Sequence, residues 1–227
     1  ETWGRQCNGI VFVSNTTDSK LPVIIVHRNE SWHTLWIKTR EAFQWIYNNV
    51  LDRYDWFAKA DDDTYYHMAN LRLYLKDYSP DEASATGHLY EKPDSKVRYH
   101  SGGAGYVLSR EAVRRLVAVG FATNTECQQK SAAEDIFIGK CLMKLNATLL
   151  NSADKDGRYR FLPIAMYDMF QLYRYPDWLN KTSVQKIMNV SNCCSPDFIA
   201  MNYAIADLQY QMHYMVHILR PFGVQYS

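Results

Sequence analysis

Two patterns of apolar residues alternate along the first part of the chain: short continuous runs, and a spacing of three or four positions. Mostly apolar runs at residues 9–14, 22–26 and 54–60 are typical of short buried β-strands. Between the second and third runs, residues 35–50 place apolar side chains every three or four positions, which predicts an amphipathic helix. The chain therefore begins as strands that alternate with helical segments.

The alternation continues through the middle of the chain. Residues 67–76 are predicted to be helical, and residues 83–89 to form a strand. After a glycine-dense turn at 100–105, residues 106–108 predict a strand that leads into a helix with Ser109 as its N-cap. This order of elements predicts an α/β fold with a largely parallel sheet.

The periodic pattern weakens in the last third of the chain. Before that, the segment from Ser131 to Glu134 fits a capping box, so a helix is predicted to start at Ser131. A last helix is predicted over residues 207–219. We expect one domain, with a core over residues 1–150 and a C-terminal lobe over residues 151–227 that lies on the sheet.

Composition narrows the class of protein. The chain has 227 residues, 47% hydrophobic and 14% aromatic, so it can bury one substantial core and is not intrinsically disordered. Its formal net charge of +1 indicates no global field that would attract nucleic acid or an acidic membrane. No apolar run approaches the roughly 18 residues that cross a bilayer. No signal peptide is visible, so we expect any targeting or anchoring segment to precede Glu1.

Asn-x-Ser/Thr sequons give an indication of the cellular compartment. Their number favours a chain that passes through the secretory pathway, with chance matches in an Asn-rich chain as the alternative. The five sequons begin at Asn15, Asn29, Asn146, Asn180 and Asn189.

The five cysteines support the same compartment. They lack the spacing of a zinc site, and in an oxidising lumen they would form pairs and leave one over. Cys127 and Cys141 flank one short segment and are the pair that we expect to be bonded. The partner of the unpaired cysteine is expected to precede Glu1.

The first candidate for chemistry is the run Asp61-Asp62-Asp63, which follows the apolar segment 54–60. Ligands of open α/β sheets bind at the carboxyl ends of strands, where this run would stand. Alternation along an extended chain would send Asp61 and Asp63 to one side and Asp62 to the other. Such oxygen ligands suit Mg²⁺ or Mn²⁺ with phosphate. A solvated acidic turn is the alternative, whereas an EF-type calcium loop needs a wider spacing of acids.

Two further segments are candidates for the same site. Asp135 lies in the predicted first turn of a helix, where the macrodipole favours a carboxylate that could serve as a general base. An acidic first turn is also an ordinary feature, and Glu134 has a sufficient role as a capping-box residue. The glycines in residues 101–106 permit close approach to a ligand, or simply a tight turn. They match neither a phosphate loop nor a dinucleotide fingerprint.

Taken together, these motifs resemble the core 1 β1,3-galactosyltransferases of the fringe-like β1,3-glycosyltransferase family. The matching segments come in the family's order at residues 54–65, 101–109, 134–139, 193–195 and 219–223. The resemblance implies a GT-A fold and a type II Golgi membrane protein with a lumenal catalytic domain. It implies Mn²⁺-dependent transfer of galactose from UDP-galactose, with inversion, to the 3-hydroxyl of GalNAc on Ser or Thr of glycoproteins. It also suggests homodimers.

The resemblance assigns roles residue by residue. Asp135 matches the catalytic base. Asp61 and Asp63 match the metal ligands, and Lys59, Asp61 and Asp62 would face the nucleotide sugar, although a solvated Lys59 is an equal alternative. The acceptor would meet Glu134 and aromatic residues that stack on sugar faces, with packing in the lobe as the alternative for those aromatics. The aromatic candidates are Tyr173, Tyr175 and Trp178.

Two departures from the family pattern concern histidines. The family's Phe-His-Pro segment reads Phe-Leu162-Pro here, and its Phe-His-Tyr segment reads Met-Asn202-Tyr. Asn202 could offer the metal a carbonyl oxygen, or His213 or His217 could substitute. The family's first strand should also precede Glu1.

A second function remains open because of these departures. A non-catalytic relative that acts as a chaperone or escort for the active transferase would tolerate the loss of both histidines. The family's known chaperone, however, lacks the acidic metal motif. This chain keeps Asp61-Asp62-Asp63 and Glu134-Asp135, which favours the enzyme.

Overall fold

The architecture comes from a computed structural model. It describes residues 2–26, 31, 34–128, 133–171, 176–185 and 193–219. The predicted roles of Ser131, Tyr173 and Tyr175 fall outside these residues, as do the sequons at Asn29 and Asn189.

The described elements alternate in type along the chain. The strands are β1 (Phe12–Ser14), β2 (Val23–Ile25), β3 (Trp56–Lys59), β4 (Tyr65–Tyr66), β5 (Ser84–Gly87), β6 (Leu89–Glu91), β7 (Arg98–His100), β8 (Tyr106–Ser109), β9 (Thr148–Asn151), β10 (Phe161–Leu162) and β11 (Ala200–Met201). The α-helices are α1 (Leu35–Asn49), α2 (Met68–Leu75), α3 (Arg110–Arg115), α4 (Thr125–Gln128), α5 (Glu134–Lys144), α6 (Met166–Gln171), α7 (Asp177–Thr182) and α8 (Ala206–His217). Short 3₁₀ turns at Trp3–Gln6 and Leu51–Arg53 and a π-helical continuation of α3 at Leu116–Phe121 complete them.

The central sheet is mixed, so the fold is α/β as predicted but the expectation of a largely parallel sheet is wrong. Its strand order is β3-β8-β5-β9; β8 runs antiparallel to both neighbours, and only β5 and β9 are parallel. The reason is the antiparallel pair β6–β7, which reverses the chain before β8 enters the sheet between β3 and β5. The alternation of elements cannot reveal such an insertion.

A second sheet joins distant parts of the chain. It has the order β10-β11-β4, with β10 and β11 parallel and β4 antiparallel to β11. Strand β4 directly follows the acidic run, so the C-terminal strands fix the chain just beyond those carboxylates. The division of the chain into residues 1–150 and 151–227 remains a prediction.

Local periodicity predicted most helices well. The predicted helices at 35–50, 67–76 and 207–219 correspond to α1, α2 and α8. The predicted start at Ser131 is wrong, because α5 begins at Glu134 with Ala133 at the N-cap position. No described helix is both long enough and apolar enough to cross a membrane.

The cysteines divide into two bonded pairs and one thiol. Cys127 and Cys141 form a disulfide bond between α4 and α5, which is the pair favoured by the sequence. The adjacent Cys193 and Cys194 form a second disulfide. Cys7 is the half-buried residue left over.

Ser109 ties the central sheet to α3. Its hydroxyl accepts hydrogen bonds from the backbone N–H of Ala112 (3.1 Å) and of Ser84 (3.0 Å) and donates to the carbonyl of Glu82 (2.7 Å). We expect Ser109→Ala to lower the free energy of unfolding by about 2–4 kcal/mol, because three buried backbone groups lose a partner. The exposed Ser95→Ala is the control, with a change within about 0.5 kcal/mol in urea unfolding. A similarly small effect at Ser109 would contradict this account of the cap.

Two buried histidines make stability depend on pH. Burial lowers the pKa of His88 to about 3 and that of His100 to about 4. The unfolded chain, with histidine pKa values near about 6.5, therefore binds two more protons than the folded chain between about pH 6.5 and 4. Stability that is present above this window is lost as the pH falls through it, with about 1.4 kcal/mol per pH unit from each histidine.

Comparing the pH dependence of stability in the original protein and in His100→Asn separates the effect of the histidine from that of the carboxyl groups. In urea unfolding at about pH 6, 5.5 and 5, His100→Asn should show a slope of stability against pH that is smaller by about 1.2 kcal/mol per unit. Equal slopes in the variant and the original protein would rule out a buried, neutral His100.

Candidate active site

The acidic run forms a turn rather than an extended strand. The backbone N–H of Thr64 donates to the carbonyl of Asp61 (3.1 Å), and the Thr64 hydroxyl accepts from the N–H of Asp61 (2.9 Å). The predicted alternation of Asp61 and Asp63 against Asp62 is therefore wrong, because β3 ends at Lys59 and the chain turns at once. We call residues 61–64 the acidic turn.

Backbone hydrogen bonds hold the acidic turn against distant segments. The side chain of Gln209 on α8 donates to the carbonyl of Asp62 (2.8 Å), and the N–H of Ala204 donates to the carbonyl of Asp63 (2.7 Å). The Thr64 hydroxyl donates to the carbonyl of Gly103 (2.8 Å). The main-chain oxygens of the turn are thus used inside the protein, while the side chains of Asp61 and Asp62 are exposed.

Lys59 lies inside the site. Its Nζ is 2.6 Å from Oδ1 of Asp61, 3.2 Å from the carbonyl of Gly102 and 3.9 Å from Oε2 of Glu134. Its side chain is only 20% exposed. The alternative of a solvated lysine is therefore wrong, and contact with a nucleotide remains a prediction.

The glycine-dense segment is a tight turn that also touches every other part of the site. Gly105 has a φ of +78°, a conformation that favours glycine, and a Cβ there would meet the hydroxyl of Tyr66. A Cβ on Gly103 would meet the side-chain amide of Asn202. The N–H of Gly102 donates to Oδ2 of Asp135 (3.3 Å). These close approaches are to protein groups, so the tight-turn alternative applies, and close approach to a ligand remains a prediction.

Asp135 is held at the start of α5 by backbone donors. Its Oδ1 accepts from the N–H of Ile136 (2.8 Å), and its Oδ2 from Gly102. Burial raises the pKa of Asp135, although these N–H groups and the charge of Lys59 act against the rise. A carboxylate with a raised pKa binds a proton more readily, which suits a general base.

Glu134 is engaged within the protein, while the Ser131 half of the predicted capping box lies outside the described residues. Its Oε1 accepts a hydrogen bond from the hydroxyl of Tyr106 (2.5 Å), and its Oε2 faces Lys59. The residue is 7% exposed, and burial raises its pKa. Its predicted contact with an acceptor remains a prediction, but in this structure both oxygens have protein partners.

The residues considered for the second metal ligand lie apart from one another. Asn202 is buried against Gly103, and its Oδ1 accepts from the N–H of Tyr203 (2.8 Å). His213 and His217 stack on each other, with ring centroids 4.9 Å apart, and His217 lies 5.6 Å from the ring of His67. These histidines form a cluster of their own.

The donor chemistry of the acidic turn suits a hard divalent cation. Burial, followed by the charges of Asp61 and Asp62, raises the pKa of Asp63, so the carboxylates are close enough to repel one another. In the described part of the chain, no three His, Cys, Asp or Glu side chains are arranged to hold a metal. The residues present therefore fit a cation held by one or two carboxylates, with phosphate oxygens and water as its other ligands.

An aromatic wall that the sequence did not predict lies near Asp135. Tyr90 packs on Tyr99 (centroids 5.3 Å apart) and lies 6.1 Å from Trp178, which is 50% exposed. Burial raises the pKa of Tyr99 to about 12, and the charge of Asp135 adds to the rise. Tyr90 and Tyr99 are the single tyrosines of β6 and β7, and no pattern in the sequence indicated that they would meet.

Comparisons with known proteins identify relatives of the chain. A model of the Fringe-like family matches residues 1–155. Glycoprotein-N-acetylgalactosamine 3-beta-galactosyltransferase 1 of Xenopus laevis is 35% identical over 229 residues, which is 99% of this chain and 62% of that protein. Human beta-1,3-glucosyltransferase is 28% identical over 154 residues, which is 67% of this chain and 30% of that protein. Human N-acetyllactosaminide beta-1,3-N-acetylglucosaminyltransferase 4 is 25% identical over 142 residues, with 55% of this chain and 36% of that protein covered.

The relatives differ in the sugars that their names specify, and the chain spans less than two thirds of the length of each of them. What they share is the family, and the match to the family model covers more than half of this chain. The chain belongs to the Fringe-like family.

Proposed function

We propose that this chain is the catalytic domain of an inverting, metal-dependent glycoprotein-N-acetylgalactosamine 3-β-galactosyltransferase with a GT-A fold. The donor would be UDP-galactose, and the acceptor the 3-hydroxyl of GalNAc on Ser or Thr of a glycoprotein. One observation carries the proposal: Lys59 and the Gly102 backbone bring the acidic turn and the Asp135 carboxylate into one site. The similarity to the Xenopus galactosyltransferase supports this choice of sugars.

In the proposed reaction Asp135 is the general base. Its carboxylate takes the proton from the acceptor hydroxyl, whose oxygen attacks the anomeric carbon of the galactose as the bond to UDP breaks. The N–H groups of Gly102 and Ile136 hold the carboxylate in one orientation before the acceptor arrives. Attack from the side opposite the leaving UDP inverts the anomeric configuration.

The acidic turn would serve the donor. Asp61 and Asp63 would hold Mn²⁺, with the amide oxygen of Asn202 as a further candidate ligand, and Asp62 would face hydroxyls of the nucleotide sugar. When bound, the cation supplies positive charge for the departing diphosphate. The backbone hydrogen bonds from Gln209 and Ala204 keep the turn in place for this role.

The aromatic wall would receive the acceptor sugar. Trp178 is exposed enough to stack on a sugar face, and Tyr90 and Tyr99 lie behind it on the side of Asp135. A GalNAc ring placed on this wall would have the base beside it.

The expected setting of the enzyme is the lumen of the Golgi. An N-terminal anchor in a longer protein would make it a type II membrane protein, and a second copy of the chain would make it a homodimer. The Cys127–Cys141 disulfide and the sequons support an oxidising secretory compartment.

The base is tested by Asp135→Asn. Purified protein with UDP-galactose, Mn²⁺ and a GalNAc-Ser/Thr glycopeptide should give a product heavier by one hexose. The variant keeps the size of the side chain but cannot take a proton at neutral pH, so we expect kcat to fall about 10²–10⁴-fold. Asp77→Asn, at an exposed position, is the control. A variant that keeps more than a tenth of the original rate would remove Asp135 from this role.

Binding of the donor nucleotide is tested without turnover. Calorimetry should show that UDP binds with Mn²⁺ much more tightly than without it. Asp63→Asn should weaken the Mn²⁺-dependent binding by about tenfold or more, because a carboxylate ligand is lost. Asp94→Asn, in an exposed turn, should have no effect. UDP binding that is independent of the metal in the original protein would favour the chaperone or escort alternative.

A further inference from the structure

Lys59 has an environment that neither solvent nor substrate explains. Its ammonium group points into the protein, where it bonds to Oδ1 of Asp61 (2.6 Å) and to the carbonyl of Gly102 (3.2 Å). Oε2 of Glu134 lies 3.9 Å away. Lys59 therefore makes two hydrogen bonds within the protein and a longer ion pair with Glu134.

The contacts of Lys59 come from three separate segments of the chain. Asp61 belongs to the acidic turn, Gly102 to the glycine-dense turn at residues 101–106, and Glu134 to the first turn of α5. Other hydrogen bonds link these segments only in part. The hydroxyl of Thr64 joins the acidic turn to the glycine-dense turn at residues 101–106, and the hydroxyl of Tyr106 joins β8 to Glu134. Lys59 is therefore the group that connects the acidic turn to Glu134 directly.

The charges around Lys59 are unbalanced. Asp61, Glu134 and Asp135 all act on its charge, and Lys59 is the cationic side chain that acts on both Glu134 and Asp135. Burial, the largest influence, lowers the pKa of Lys59, but the charges of Glu134 and Asp61 outweigh it and raise the pKa above its ordinary value. Lys59 is thus a fixed positive charge shared by several carboxylates.

We propose that Lys59 is the internal counter-ion of this site, which joins the acidic turn to the start of α5 and competes with a divalent cation for the carboxylate of Asp61. This inference rests on the proposed function only in taking Asp61 as a cation ligand. Lys59 is a positioning residue in this account. It holds the carboxylates together when no cation is bound, and its charge lowers the affinity of the site for the cation.

The probe is Mn²⁺ alone, with free Mn²⁺ measured by its electron paramagnetic resonance signal and no nucleotide present. Lys59→Met should bind Mn²⁺ about five- to tenfold more tightly than the original protein, because Asp61 no longer has to release an ammonium group. Lys59→Arg keeps the charge and should bind as the original protein does. Lys76→Met removes a charge from an exposed lysine at the end of α2 and should leave Mn²⁺ affinity unchanged.

Thermal unfolding provides the second readout. Without Mn²⁺, Lys59→Met should melt at a lower temperature than the original protein, because the carboxylates repel one another once their counter-ion is gone. Added Mn²⁺ should then raise its melting temperature by more than it raises that of the original protein. If Lys59→Met does not fold, Lys59→Gln provides the same test, since its amide can still donate hydrogen bonds but carries no charge.

Equal or weaker Mn²⁺ binding by the uncharged variants would overturn the proposal, as would tighter binding by Lys76→Met to the same degree. The galactose-transfer assay separates this inference from the proposed function. Transfer by the original protein with unchanged Mn²⁺ affinity in Lys59→Met would refute the counter-ion role alone. Tighter Mn²⁺ binding by the variant, without transfer by the original protein, would refute the enzymatic function alone.

Discussion

A single, largely buried ammonium group lies where two segments of the chain bring carboxylates together, beside the backbone carbonyl of a third. Asp61 and Glu134 both lie within ion-pair distance of Lys59, and Asp135 adds its charge from the next position on α5. Carboxylates gathered in a partly buried site would repel one another and take up protons without such a partner. The ionised state of the whole site therefore depends on where β3 places this one side chain.

The backbone supports this electrostatic arrangement. The carbonyls of Asp62 and Asp63 are bound by Gln209 and Ala204, far along the chain, so the acidic turn keeps its shape without using its carboxylates. At the other side of the site, donors from Gly102 and Ile136 orient Asp135. Because the main chain satisfies its own hydrogen bonds, the carboxylates are not needed for the shape of the turn, and that of Asp61 is bonded to Lys59 instead.

The two departures from the family pattern have different structural consequences. Leu162 is fully buried in the apolar cluster between the second sheet and α8, where an imidazole would need a polar partner. Asn202 lies beside Gly103, so a polar side chain whose amide oxygen could bind a metal is present at the position of the second histidine. The acidic turn and Asp135 are thus retained, while the two positions that carry histidine in the family pattern have changed in character.

The sequence by itself determined the features that depend on neighbours a few residues apart. The apolar period of α1 and the N-cap at Ser109 are local, and both were predicted. The tertiary structure alone decided that β8 enters the sheet antiparallel and that the carboxylate of Glu134 accepts a hydrogen bond from Tyr106. It also decided that Lys59 is a buried ion-pair partner, because its contacts with Gly102 and Glu134 join residues that are distant in sequence, and no local pattern records which of them meet in space.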